Sequence, residues 1–264
     1  MYTLKGRLLI IGMGLYDEKS ISLRGLEEAR AADIVYLELY TSLMPAFSKE
    51  SLERLIGKRV IEVSRSDLEE DAETGILRAA RNQNVCLLIP GDPFVATTHV
   101  SLRIAAEKHG IPTMVVHAAS IASAIPGATG LQSYKFGRSV SIPFPRDSFL
   151  SVTPYLVIKE NKTRGLHTLV LLDINLESSR LMSISEALSI LLELEKIRRE
   201  KVVEEKTLAV GIARLGSLDA EVRAGSVERL MNHNFGSPPH VLVFPGDLHF
   251  LEVEALKVFA YLPE

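Results

Sequence analysis

The chain has no tryptophan, one cysteine, two glutamines and six asparagines among its 264 residues. A single cysteine excludes an internal disulfide, and Cys86 sits inside an apolar run, the setting of a small buried hydrophobe. No apolar run approaches the length that spans a bilayer. The short run 8–11 follows basic residues, as in a signal peptide. Gly12-Met13-Gly14 and Asp17-Glu18-Lys19 come next, with no small-residue cleavage site, so it reads as the first strand of a cytoplasmic protein. A dominant charge is missing too. Thirty basic against 33 acidic residues give a net charge of −3, which leaves no overall basic field for nucleic acid. HExxH pairs, Cys/His clusters and a G-x-S-x-G elbow are all absent.

What is present is a chain 47% hydrophobic and 24% charged, long enough for one large α/β domain or two smaller ones. Strand patterns fall at 7–11, 33–39, 59–63, 85–89 and 113–116, with helical patterns at 22–31, 49–56, 67–82 and 98–109 between them. Asp67-Leu68-Glu69-Glu70 fits the start of a helix with a capping box. Strands separated by helices predict a mainly parallel sheet covered on both faces. After residue 117 the texture changes. Residues 118–130 are rich in small side chains, and Pro143, Pro145 and Pro154 interrupt a mixed region. Further strands are expected at 168–172, 207–213 and 240–244, with helices at 183–200, 226–231 and 251–259. The expectation is an α/β protein of two domains, 1–117 with a parallel sheet and 118–264 with a mixed one.

The strongest address for a site is Pro90-Gly91-Asp92-Pro93-Phe94-Val95-Ala96-Thr97-Thr98-His99, directly after Val85-Cys86-Leu87-Leu88-Ile89. Open α/β sheets bind ligands beyond the carboxyl ends of their strands. Thr97 or Thr98 is expected to cap the following helix. Asp92 has two readings: a turn-forming aspartate beside Gly91 and Pro93, or a carboxylate facing a cationic or hydroxyl-rich ligand. Gly12-Met13-Gly14-Leu15-Tyr16-Asp17 follows the first strand but lacks the third glycine of a dinucleotide fingerprint. Asp17 stands in its place and would repel a pyrophosphate, so NAD is disfavoured. Glycines there still allow close approach of an adenosyl ligand without phosphates. Ala119-Ser120-Ile121-Ala122-Ser123-Ala124 suits either close helix packing or a flat ring against backbone. His117 and His240 bracket apolar strands and read as core or rim residues. Lys135, Arg138 and Arg146 are a candidate basic patch, although a solvated surface explains them equally.

Several further strings stand in chain order beside these. They begin with Gly12-Met13-Gly14-Leu15-Tyr16-Asp17-Glu18, Glu38-Leu39-Tyr40-Thr41-Ser42 and the Gly91–His99 string. His117-Ala118-Ala119-Ser120-Ile121, Thr129-Gly130-Leu131-Gln132 and Tyr134-Lys135-Phe136-Gly137 follow. The later ones are Gly165-Leu166-His167-Thr168-Leu169, Leu172-Asp173, Ala213-Arg214 with Gly216-Ser217, Arg223-Ala224-Gly225 and Pro238-Pro239-His240. Together they resemble the diphthine synthases, within the tetrapyrrole-methylase-like group of S-adenosylmethionine-dependent methyltransferases. Ala124-Ile125-Pro126-Gly127 carries one residue more than the Ala-x-Gly usual in that group. The resemblance implies two α/β domains with a cofactor cleft between them, a homodimer, and S-adenosylmethionine as methyl donor. It implies cofactor contacts from Leu15, Asp92, Val95, Ser120, Ile121, Leu172, Ala213 and His240, the last three at strand ends. It further implies N-methylation of a modified histidine side chain of translation elongation factor 2, with no metal and no covalent nucleophile. A tetrapyrrole C-methyltransferase is the alternative enzyme, because the Gly-Asp-Pro turn is common to the wider group. A nucleotide-responsive binding protein is the alternative without chemistry.

Overall fold

The branched run before Pro90 becomes the middle strand of a five-stranded sheet in the computed structural model, which describes residues 6–145, 150–175 and 180–263. The chain divides into two units, Met1–Ile121 and Ala122–Glu264. The first unit runs β1 (Arg7–Gly12), α1 (Leu23–Ala31), β2 (Ile34–Glu38), α2 (Lys49–Ile56) and β3 (Ile61–Val63). It continues through α3 (Arg65–Glu69), α4 (Ile76–Ala80), β4 (Asn84–Ile89), α5 (Val100–Lys108) and β5 (Thr113–Val116). The strand order is β3-β2-β4-β1-β5, and every pairing is parallel.

Strand alternation splits the core between two faces. Leu9, Ile11, Cys86 and Leu88 pack with Ala29, Leu52 and Ile56 from α1 and α2. Leu8, Ile10, Val85, Leu87 and Ile89 pack with Leu77, Ala80, Leu102 and Ala106 from α4 and α5. These strand side chains are fully buried, and each contributes roughly 1.5–3 kcal/mol on leaving water. That is ample to place β1 and β4 in the middle of the sheet. Cys86 is fully buried among them, and burial pushes its thiol pKa up, so it acts as a hydrophobe.

Two helix starts differ from the sequence reading. The pattern at 67–82 is broken into α3 and α4. Ser64, not Asp67, caps α3, and Asp67 is the partner three residues on whose carboxylate returns to the Ser64 amide at 2.7 Å. The amides of Thr74 and Gly75 then turn back onto the Asp71 carbonyl, and α4 starts afresh after Gly75. At α5 neither threonine caps. Thr97 Oγ1 donates to the Pro93 carbonyl at 2.6 Å and Thr98 Oγ1 to Glu69 at 2.7 Å, so His99 precedes the first turn without a side-chain cap.

The division between units falls after the first residue of α6 (Ile121–Thr129). The second unit continues with β6 (Val140–Ile142), α7 (Thr153–Thr163), β7 (Thr168–Leu172), β8 (Ile174–Asn175), β9 (Arg180–Leu181) and α8 (Ile184–Arg198). It ends with β10 (Leu208–Ala213), β11 (Glu221–Ser226), α9 (Val227–Met231), β12 (His240–Phe244) and α10 (Phe250–Phe259). Its main sheet is mixed, in the order β11-β10-β12-β7-β6. β6 and β7 run parallel and the other neighbours antiparallel. One face packs Val170, Leu172, Ala209, Ala213, Leu242 and Phe244 against Ala187, Leu188, Leu191 and Leu194 of α8. The fold is thus α/β with one parallel and one mixed sheet, as the alternation implied.

The pattern reading missed the short strands β6, β8 and β9 and three longer elements. β11 is an edge strand with polar side chains, α7 carries Pro154 in its first turn, where proline is tolerated, and α6 continues through Pro126. α8 also ends at Arg198 rather than 200, with Arg199 in the left-handed region. Among the described residues no helix is long and apolar enough to cross a membrane.

The Tyr-Lys-Phe-Gly string is used for construction. Lys135 Nζ lies 2.5 Å from Glu252 Oε2 and also donates to the Asp247 carbonyl. Glu252 Oε1 accepts from His167 Nε2 at 2.9 Å and from the Gln132 amide at 2.8 Å, while Oε2 accepts the His249 amide at 2.8 Å. His167 Nδ1 in turn accepts the Gly246 amide at 2.9 Å. Lys135 is therefore committed to an internal carboxylate and is not part of a basic patch. Arg146, the third member of that patch, lies outside the described residues.

Candidate functional site

Parallel pairing of β4, β1 and β5 brings their three following loops to one edge of the first sheet. Leu15 follows β1, Asp92 and Val95 follow β4, and Ser120 and Ile121 follow β5, so the five expected site residues of this unit share that edge. Backbone, more than side chains, shapes it. Gly14 and Gly91 exchange two hydrogen bonds, N to O at 3.2 and 2.7 Å, each with a positive φ (81° and 67°). A Cβ on Gly12 would lie 2.6 Å from the Gly91 carbonyl oxygen and 2.8 Å from the Ala118 Cβ. Any side chain there would separate the two loops. The glycines are therefore explained by close passage of one loop past another.

Asp92 fulfils the turn reading. Its Oδ1 accepts the Phe94 amide at 3.1 Å, closing an Asx turn. Its Oδ2 faces Nδ1 of His117 at 2.8 Å and the Ala118 amide at 3.3 Å, so the carboxylate also ties the exit of β4 to that of β5. Three acceptor bonds leave room for one more on a carboxylate, so a ligand contact is compatible with the turn. The sequence reading of His117 was a core or rim residue. The missed signal was its position immediately after β5, at the ligand edge of the sheet.

Beside this edge lies a second cluster, at the exit of β2. Glu38 is fully buried, and burial pushes its carboxyl pKa up, opposed by hydrogen bonds from the Thr41 hydroxyl and amide. His99 Nε2 is 3.7 Å from Glu38 Oε1 and 3.5 Å from the Tyr40 hydroxyl. Burial holds His99 below the ordinary imidazole value. The Glu-Leu-Tyr-Thr string and the histidine ending the Gly91–His99 string thus serve one another, holding the loop after β4 against the exit of β2.

In the second unit the expected residues fall on three neighbouring strands. Leu172 ends β7 and Ala213 ends β10, but His240 begins β12 rather than ending a strand. Antiparallel pairing explains why it still belongs with them. Ala213 pairs with His240, and Val241 pairs with Leu171, so Leu172 and Ala213 flank His240 at one sheet edge. The Ile184 amide donates to His240 Nδ1 at 3.4 Å, and Nε2 has no hydrogen-bond partner among the described residues. Burial, with the Arg214 guanidinium adding to it, lowers the His240 pKa. The ring is therefore neutral near neutral pH and presents an unused N–H. Arg214 itself holds the approach to β12, donating to the Phe235 and Ser237 carbonyls at 2.6 Å and to Asp219 at 2.6 Å.

Comparison with known proteins gives this geometry a context. Residues 7–231 match the model of the tetrapyrrole (corrin/porphyrin) methylases. The diphthine synthase of Methanosarcina barkeri is 51% identical over 258 residues, covering 96% of each chain. The chain belongs to the diphthine synthase family. A second member, from Methanosarcina acetivorans, is 49% identical over 97% of each chain. The crystal structure of a diphthine synthase superposes with a TM-score of 0.89 at 42% identity, covering 97% of this chain and 96% of the other.

Proposed function

We propose that the protein is an S-adenosylmethionine-dependent N-methyltransferase acting in diphthamide biosynthesis. Its acceptor is the amino group on the modified histidine of translation elongation factor 2, and it works as a cytoplasmic homodimer. Kinship at 51% identity along 96% of the chain with a diphthine synthase carries this reading. The residues present suit the donor. Asp92 keeps one acceptor position unspent, and His240 Nε2 is a buried donor awaiting an acceptor. Leu15, Asp92, Val95, Ser120 and Ile121 would hold it in the first unit, and Leu172, Ala213 and His240 in the second.

When bound, S-adenosylmethionine supplies a methyl group on a positively charged sulfur. The chain's own part is alignment and exclusion of water. An amine aligned with a methyl carbon reacts as if at very high local concentration, an advantage of roughly 7–11 kcal/mol at its upper range. Rigid glycine-stitched loops suit that task, and apolar positions such as Val95, Ile121 and Leu172 would keep the surroundings dry.

The test is incubation of the protein with methyl-labelled S-adenosylmethionine and elongation factor 2 bearing the aminocarboxypropyl arm. Label should reside on the amino nitrogen of that arm. Label on a porphyrinoid alone would move the assignment to the tetrapyrrole C-methylases, and tight donor binding with no turnover on either would leave a binding protein.

A further inference from the structure

His117 and Asp92 form a pair that the turn reading does not exhaust. The Asp92 carboxylate is 11% exposed and anchored by the Phe94 and Ala118 amides, whereas the His117 side chain is 70% exposed. An anchored carboxylate is an acceptor, so the 2.8 Å contact is a donation from Nδ1–H of the imidazole. In the neutral ring this places the lone pair on Nε2. Among the described residues Nε2 has no hydrogen-bond partner, and Phe94 stands edge-on at 6.5 Å between ring centroids. Asp92 is the charged side chain set against the ring among the described residues; Arg103 lies 5.9 Å over the Phe94 ring.

Of the other histidines, His233 meets Glu221 Oε1 at 2.7 Å, but that oxygen also accepts from Arg223 and the ring is only 30% exposed. His249 spends Nδ1 on the Leu251 amide as the cap of α10. His167 has both nitrogens engaged, and the rings of His99 and His240 are buried. His109 meets Glu73 at 3.1 Å, but it precedes β5 and so lies toward the opposite end of that strand. Glu38 is buried and occupied by Thr41.

We propose that His117 is the proton acceptor for the amine undergoing methylation, with Asp92 as the residue that positions it. This rests on the N-methylation reading given above. An aliphatic amine is largely protonated near neutral pH and then has no lone pair to attack with. The ammonium N–H bond breaks, the proton forms a bond to His117 Nε2, and the electron pair remains on the amine nitrogen as the nucleophile. Positive charge passes from ammonium to imidazolium, and the exposed ring then returns the proton to water. The transfer recurs whenever a partly methylated amine still carries a proton. Asp92 keeps Nδ1 protonated, so that Nε2 is the basic nitrogen, and it stabilises the imidazolium.

The experiment compares wild type with His117→Ala in single-turnover methylation of arm-bearing elongation factor 2. General-base assistance is worth at least about 10²-fold, and a loss of that order is expected at neutral pH. Calorimetric affinity for S-adenosylmethionine should be unchanged. Added imidazole should recover part of the rate, and the defect should narrow at alkaline pH, where hydroxide deprotonates the amine unaided. A structural role would give neither the rescue nor the narrowing. Independently of activity, nitrogen NMR of the ligand-free protein should show His117 as the Nδ1–H tautomer, with Asp92→Asn shifting it toward Nε2–H. Wild-type rate in His117→Ala, or an Nε2–H tautomer in wild type, overturns the assignment. Wild type that leaves the arm unmethylated defeats the N-methylation reading itself, and this proposal with it.

Discussion

Among the carboxylate–histidine pairs of the described residues, Asp92–His117 and Glu252–His167 are of nearly equal length and differ in everything else. Asp92 meets His117 at 2.8 Å and Glu252 meets His167 at 2.9 Å. His167 and Glu252 are fully buried, and both ring nitrogens and both carboxylate oxygens are engaged. His117 spends one nitrogen and turns the other outward. A pair whose hydrogen-bonding capacity is consumed internally can only hold structure together, whereas a pair with one unspent basic atom can also exchange a proton. Saturation, not distance, separates the two.

The largest expected effect tests the closed pair. Glu252→Ala removes an acceptor shared by Lys135, His167 and the amides of Gln132 and His249. Leaving a partly buried cation and several donors without their partner costs roughly 3–5 kcal/mol, which urea unfolding would measure. A loss below about 1 kcal/mol, the worth of one ordinary hydrogen bond, would mean that the network is not a unit and would dissolve the contrast.

The contrast was only partly legible in the sequence. The buried runs 85–89, 168–172 and 240–244 were readable because apolar residues admit one environment, and the alternation of strands and helices gave the sheet types. The polar edge strand β11 was not, since an edge strand has no buried face pattern to betray it. Asp92 was located, and its turn role was one of two readings. Its second partner was invisible, because His117 is 25 residues away and arrives only when β5 joins β1 at the sheet edge. Lys135 misled for the same reason. Its partner Glu252 lies 117 residues on, so in one dimension it looks like a free surface cation.

Acid should act on the closed pair in two separate windows. Burial pushes His167 below the ordinary imidazole value, although Glu252 opposes the shift. The unfolded chain therefore binds a proton near pH 6.5 that the folded chain refuses, and stability falls as pH drops below that value. Each such proton steepens the loss by about 1.4 kcal/mol per pH unit. For Glu252 burial raises the carboxyl, but the Lys135, Gln132, His249 and His167 hydrogen bonds outweigh it and hold the pKa down to about 2. Its contribution is complete above pH 4.5 and lost as pH falls toward 2. Urea unfolding between pH 7.5 and 5 should give a shallower slope in His167→Gln than in wild type. An unchanged slope would mean that the folded protein protonates His167 as readily as the unfolded chain does.

The smallest expected effect sits at the open pair. His117→Ala removes a mostly exposed ring with one hydrogen bond, and water can take its place at Asp92 Oδ2. Surface substitutions of this kind change unfolding free energy by about 0.5 kcal/mol or less. Asp92 also keeps its bonds from the Phe94 and Ala118 amides, so the loop after β4 retains its shape. Urea or thermal unfolding should therefore place His117→Ala close to wild type, even though its methyl transfer is expected to fall about 10²-fold. A stability loss comparable to that of Glu252→Ala would make His117 a structural strut after all. Stability kept while rate is lost is the pattern of a side chain retained for what its free nitrogen does.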